Sequence, residues 1–306
     1  MKTLAIFLVM INFLTGSLSS IKTELMSILD NPVVYPLQSL AIQLIKPEPI
    51  RNPLAADPEI EATSVIVIDA NTGKVLFEKN PNQRLAIASL TKIMTALVVL
   101  KYSTDIQNTI RVSKTASMLD GSQMYLRAGE VLTIEDLLKG ALIESANDAA
   151  YALADGIMGS SIRFVDAMNQ YAKQLELKDT YFSNSYGADG NNHYSTAQDL
   201  AKLTTHALQN EIFRSIVNIQ ETTITDVTNK FKHKLKNTNK LVGAYINVIG
   251  VKTGTTLGAG ASLVAAATGD SNQTVIAVLL DSPARFTEGK LLLDWALKSY
   301  TWIELL

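Results

Sequence analysis

Residues 88–100, ASLTKIMTALVVL, constrain this chain more than any other stretch. Leu90, Ile93, Met94, Ala96, Leu97, Val98, Val99 and Leu100 leave almost no polar face on a helical wheel. A helix that is apolar nearly all round is a buried helix. The chain is large enough to bury one: 306 residues, 47% hydrophobic and 18% charged, as in a well-packed globular protein. Yet Lys92 falls in the first turn, three residues after Ser89. Burying an unpaired ammonium costs several kcal/mol, so a lysine there needs a partner or a task.

Spaced i and i+3, Ser89 and Lys92 share one helical face within contact distance. A serine at a helix N-terminus feels the positive end of the dipole, which stabilises a developing alkoxide. A lysine desolvated among apolar neighbours loses its proton more easily. The pair therefore has the parts of an activated nucleophile, with the amine taking the hydroxyl proton. On its own, Ser-x-x-Lys is a weak signal.

Other chemistries are excluded or unsupported. The net charge is −2 and no basic run occurs, so nothing points to nucleic acid. The absence of cysteine rules out disulfides, thiolate metal sites and cysteine nucleophiles. His193, His206 and His233 are scattered without ligand spacing, which favours ordinary structural roles and no metal site.

Residues 1–20, MKTLAIFLVMINFLTGSLSS, read as a signal peptide or uncleaved signal anchor: an early lysine, an apolar stretch over 4–14, then small residues. Residues 21–54 read as a tether, with the proline-rich KPEPIRNPLAADPE at its end. The apolar patch over 33–45 lies against either the membrane or the domain. A single domain is expected from 55 to 306. It opens with a hairpin, TSVIVIDANTGKVLFEKN, and continues with helical patterns, TIEDLLKGALI beginning on a capping-box spacing. Strands return in AYINVIGVKTGTT, GASLVAAAT and TVIAVLLD, and TEGKLLLDWALKSY closes as a helix. Strands at both ends with helices between predict one mainly antiparallel sheet covered by helices, with a helical lobe inserted.

Two further stretches carry polar groups where a cleft could form. IESANDAA puts Ser145 and Asn147 at the break between two helical patterns, although such residues also simply cap helices. VKTGTT puts Lys252, Thr253 and Gly254 on a strand. Glycine there lets a ligand approach the strand edge, while the lysine and threonine offer a cation and a hydroxyl to a carboxylate. An exposed edge strand ending in a turn would look the same.

Together Ser-x-x-Lys, Ser-x-Asn and Lys-Thr-Gly form an ordered trio. With VIDANTGKVLFEKNPNQRLAIASLTKIMTAL, MYLRAGEVLTIEDLLKGALIESANDAA, NHYSTAQDLAKL, VIGVKTGTTLGAGASLVAAAT and ARFTEGKLLLDWA, the chain resembles the low-molecular-mass penicillin-binding proteins. These are the serine D-alanyl-D-alanine carboxypeptidases of the peptidase S11 type. The resemblance spans residues 61–298. It departs at Ala146, where the family often has glycine. Many members also carry a second, β-rich domain and a C-terminal amphipathic anchor. Here Leu306 follows the last expected helix, which places any membrane attachment at the N-terminus.

The resemblance implies an α/β (α+β) fold of the β-lactamase/transpeptidase type, with an all-helical lobe and a cleft between lobe and sheet. It implies that Ser89 attacks the D-Ala-D-Ala carbonyl, Lys92 takes its proton, and the N–H groups of Ser89 and Thr255 hold the oxyanion. Ser145, linked to Lys252, relays a proton to the departing D-alanine. Asn147 holds the substrate amide and orients Lys92. Thr253 and Arg285 hold the terminal carboxylate, and Gly254 lines the strand edge. The partners implied are peptidoglycan stem peptides outside the cytoplasmic membrane, with β-lactams as covalent inhibitors. No metal or organic cofactor is implied. A D,D-endopeptidase uses the same machinery. A β-lactamase would need an E-x-x-L-N segment downstream of the middle motif, and ELKDT does not match it. A silent binding module would have no use for a low-pKa lysine beside a serine.

Overall fold

The computed structural model describes residues 48–302 other than 245, 246 and 271. Its strands are β1 Pro49–Arg51, β2 Ser64–Asp69, β3 Val75–Lys79, β4 Thr109–Arg111, β5 Val131–Thr133, β6 Glu221–Thr225, β7 Lys232–Lys236, β8 Val248–Thr256, β9 Gly260–Thr268, β10 Thr274–Leu280 and β11 Tyr300–Trp302. Its helices are α1 Lys92–Tyr102, α2 Ile134–Leu142, α3 Asn147–Met158, α4 Ser161–Gln174, α5 Ala197–Leu208, α6 Glu211–Val217 and α7 Arg285–Ser299.

The hairpins expected from the two ends do join. Strands β3, β2, β10, β9 and β8 form a five-stranded sheet in that order, every pair antiparallel. The first hairpin is closed by an Asp-anchored turn, Asp69 Oδ1 accepting from Thr72 N at 2.8 Å and Thr72 Oγ1 at 2.7 Å. Alternation along the strands then sorts side chains onto two faces. Ile66, Ile68, Val264, Ala266, Ile276 and Val278 belong to a core with α1, α2, α3 and α5. Val65, Val67, Leu263, Ala265, Val275 and Ala277 belong to a second core with Leu292, Leu293 and Ala296 of α7. Because both faces are covered, β2 reads as a continuous buried run instead of an alternating one.

The apolar helix lies inside the first core, with every residue from Lys92 to Val99 buried. It begins later than its pattern predicts. Residues Ala88–Thr91 form a tighter 3-10 turn, and the α-helix starts at Lys92. Helices α2, α3 and α4 pack beside α1, with the β4–β5 ribbon attached to them. The N-cap half of the capping box is made, Thr133 Oγ1 accepting from Asp136 N at 3.0 Å, while the Asp136 carboxylate pairs with Lys139.

The ordered framework starts upstream of residue 55. Strand β1 pairs antiparallel with β11, and Asn52 N donates to Ser299 O at 2.8 Å. The stretch 49–51 therefore belongs to the folded unit and not to the tether. Three residues, PIR, are too short to show a period in the sequence. The expected signal segment and the apolar patch over 33–45 lie outside the described residues. Among the described residues no helix is long and apolar enough to cross a membrane.

Candidate active site

Ser89 sits in the 3-10 turn and Lys92 opens α1, so the pair spans the junction of the two helical forms. Lys92 Nζ lies 2.9 Å from Ser89 Oγ, 2.8 Å from Asn147 Oδ1 and 2.7 Å from Tyr186 O. Asn147 Nδ2 donates to Asp120 O at 2.7 Å, which fixes the amide with its oxygen toward the lysine. Two of the three partners can therefore only accept. Ser89 alone has a proton to give. A neutral amine fits this cage: its two N–H groups go to Asn147 and Tyr186, and its lone pair faces the serine hydroxyl. Burial pushes the Lys92 pKa well below that of an ordinary lysine, and the Lys252 charge adds to the shift against an opposing pull from Asp148.

The nucleophile turn is held in an unusual backbone. Ala88 has φ of +47°, a region that a residue with a Cβ enters at a cost. A chain of hydrogen bonds supports it from below. Thr91 Oγ1 donates to Ala88 O at 2.7 Å, and His193 Nε2 lies 2.6 Å from the same hydroxyl. Ser183 N donates to His193 Nδ1 at 3.0 Å, so the ring proton belongs on Nε2, donated to Thr91. Burial lowers the His193 pKa to about 4 and keeps this neutral form at neutral pH. From above, Gly187 (φ +94°) presses on the turn: a Cβ built there would stand 2.0 Å from Ala88 O. Only glycine fits. The sequence reading missed Tyr186, Gly187 and the supporting role of His193.

Strand β8 closes the other side of the cleft. A Cβ on Gly254 would come within 2.8 Å of Ile87 O and 3.2 Å of Ser89 N, so glycine is what lets the strand edge reach the nucleophile turn. Lys252 is buried, its Nζ donating to Thr253 O at 3.1 Å. Burial lowers its pKa to about 7, with Arg285 pushing the same way and Glu144 opposing. Arg285, at the start of α7, donates to Gly254 O at 2.8 Å and Thr255 Oγ1 at 2.6 Å, bracing the strand end.

Two expected contacts differ. The Ser145–Lys252 hydrogen bond is not made; the lysine bonds its neighbour's carbonyl instead. Ser145 is nevertheless buried at the α2–α3 break, with φ of +63°. Thr253 Oγ1 shares a 2.7 Å hydrogen bond with Thr238 Oγ1, and the residue is buried on the strand face away from Lys252 and Gly254. Ser89, Lys92, Asn147 and Gly254 are thus brought together directly. Lys252 joins them through its charge on Lys92, and Thr255 and Arg285 stand at the strand end.

A sheet sandwiched between helices, with a serine–lysine pair under a glycine-bearing strand edge, defines the DD-peptidase fold class. Residues 52–284 match the model of peptidase S11, D-alanyl-D-alanine carboxypeptidase, and the chain belongs to that family. It is 40% identical over 247 residues to D-alanyl-D-alanine carboxypeptidase DacF of Bacillus subtilis, covering 78% of this chain and 63% of that protein. It is 38% identical over 257 residues to DacC of Escherichia coli, covering 79% and 63%. The chain therefore spans 63% of the length of these curated relatives. Among solved structures it resembles the Streptomyces K15 DD-transpeptidase, with a TM-score of 0.75 and 34% identity, covering 79% of this chain and 99% of that one. It also resembles penicillin binding protein 5 from Haemophilus influenzae, with a TM-score of 0.72 and 35% identity, covering 78% and 72%.

Proposed function

We propose that the protein is a serine-type D-Ala-D-Ala carboxypeptidase that removes the terminal D-alanine from peptidoglycan pentapeptides and is inhibited by β-lactams. The observation that carries this reading is the cage around Lys92, in which Ser89 is the only partner able to give up a proton. Neutral Lys92 accepts the Ser89 proton as Oγ bonds to the penultimate D-alanine carbonyl carbon. The backbone N–H groups of Ser89 and Thr255 hold the oxyanion. As the intermediate collapses, the C–N bond breaks and the departing amine takes the proton that Lys92 carries, relayed through Ser145, which returns Lys92 to its neutral form. Water then attacks the ester, its proton passing to Lys92; as the C–Oγ bond breaks, Lys92 hands that proton to Ser89 Oγ, which restores the hydroxyl and the neutral amine. Asn147 positions both Lys92 and the substrate amide, and the charges of Lys252 and Arg285 provide the field for the terminal carboxylate.

The substrate lies outside the cytoplasmic membrane, and the N-terminal segment supplies export, either as an uncleaved anchor that attaches the enzyme to the membrane or as a cleaved signal that releases it. The test is incubation with a pentapeptide and with a cross-linked dimer. Release of D-alanine from the pentapeptide is the expected result. Preferential cutting of the dimer would instead make the protein an endopeptidase.

A further inference from the structure

The β6–β7 ribbon carries a charge pattern that the reading above leaves unused. Lys230, Lys232, Lys234 and Lys236 alternate with Phe231, His233 and Leu235. No contiguous basic run exists, yet alternate residues of a strand share a face, so these ammonium groups fall on one exposed side. The inward residues lock the ribbon in place. His233 Nδ1 lies 2.8 Å from Met124 O and its Nε2 lies 2.5 Å from Glu130 Oε1, two acceptors for one ring. The Arg127 guanidinium lies over the Phe231 ring at 4.4 Å. Between ribbon and loop is a concavity of about 420 Å³, lined among others by Tyr125, Arg127, Glu144, Lys230, Lys232 and Lys234.

None of these four cations makes an ion pair among the described residues. Lysines on a ribbon edge also discourage pairing with other chains. That role needs neither an arginine from a separate loop nor a cavity. The cavity shares its wall with the cleft. Asn147 N donates to Ser122 O at 2.7 Å, Glu144 directly precedes Ser145, and Glu144 Oε2 accepts from Lys236 N at 2.8 Å.

We propose that this pocket binds the free carboxylates of an acidic peptidoglycan stem peptide, giving the substrate strand a second contact beyond the cleft; the choice of peptide rests on the carboxypeptidase reading. Glu144 and the apolar walls of Met124 and Phe231 favour a peptide, with amino and aliphatic groups, over a polyol-phosphate chain, which has neither. Single exposed ion pairs contribute little, but converging cations give a salt-sensitive preference.

The test is titration calorimetry with a tetrapeptide bearing free side-chain carboxylates and with its amidated twin. Neither contains the scissile bond, so binding is read separately from hydrolysis. The protein should bind the acidic peptide about tenfold more tightly at low salt, which is about 1.4 kcal/mol. The double change Lys232→Ala, Lys234→Ala should abolish that preference and leave the rate of penicillin acylation unchanged. Equal affinity for the two peptides, or a preference that survives the double change, overturns the proposal. So does selective binding of a glycerol-phosphate polymer with no binding of the peptide. If the protein cuts no pentapeptide but keeps the lysine-dependent preference, the pocket stands and the carboxypeptidase reading falls.

Discussion

Lys92 Nζ stands 2.9 Å from Ser89 Oγ, and its other two partners, Asn147 Oδ1 and Tyr186 O, can only accept. The relationship answers the question that the helix pattern raises. A lysine in a fully apolar helix is tolerable because carbonyl oxygens from two other segments meet it, and burial leaves it ready to take a proton.

The two buried lysines should show in the pH profile of acylation. Lys252, lowered to about 7 chiefly by burial, is charged below that pH and neutral above it. Acylation should decline above about pH 7, and Lys252→Arg, which keeps the charge, should extend the plateau upward. The acid limb reports protonation of Lys92, whose pKa the Lys252 charge lowers. Lys252→Met should therefore raise the Lys92 pKa and move that limb to higher pH. Stopped-flow acylation across pH reads both limbs; an acid limb unmoved in Lys252→Met contradicts the coupling.

Gly187→Ala should displace the nucleophile turn, since its Cβ would meet Ala88 O at 2.0 Å. A shift near 1 Å at a reacting group costs on the order of 100-fold in rate. Acylation should fall by about that factor, with circular dichroism reporting whether the fold is kept. A wild-type rate would mean that the turn relaxes freely.

His193 should act through Thr91 and Ala88. His193→Ala is expected to slow acylation about tenfold, and combining it with Thr91→Val should add little, because both break one chain. The folded pKa of about 4 lies below the ordinary 6.5, so the neutral ring's stabilisation is complete above pH 6.5 and is lost as pH falls through about 4. Thermal melts over that window should fall less steeply for His193→Ala. Parallel curves would contradict this.

Much of this site is legible in the sequence, and the remainder is hidden for identifiable reasons. Ser89 and Lys92 are found from local spacing, and the trio order adds Ser145, Asn147 and the Lys-Thr-Gly strand. Short continuous apolar runs bounded by turn residues, VIVID and SLVAAAT, give the sheet. Tyr186 is invisible because it meets Lys92 across 94 residues through a backbone carbonyl, which leaves no side-chain signature. His193 looks like any core histidine until its two ring nitrogens are placed. The lysines of β7 escape a search for basic runs because His233 and Leu235 separate them. The Ser145–Lys252 contact, carried over from the family, is not made here, since strand position alone does not fix a long side chain's rotamer.

A chain beginning at Pro53 should fold and keep near-full activity, but without β1 it should be less stable. Losing β1's pairing with β11 and the Asn52–Ser299 bond removes a few hydrogen bonds, on the order of 2 kcal/mol or ~4–8 °C in Tm. Comparing its melt with that of a chain beginning at Glu48 checks this. Equal melting temperatures would return 49–51 to the tether.

The most direct measurement is the site and rate of labelling by a radiolabelled penicillin in wild type, Ser89→Ala and Lys92→Arg, with the adduct mapped by peptide mass spectrometry. The account predicts one adduct, on Ser89. It predicts no label in Ser89→Ala and at least about 100-fold slower labelling in Lys92→Arg, because a guanidinium keeps its proton. Labelling of Ser89→Ala at the wild-type rate, or of Lys92→Arg within about tenfold of it, would contradict the serine–lysine pair as the reacting centre.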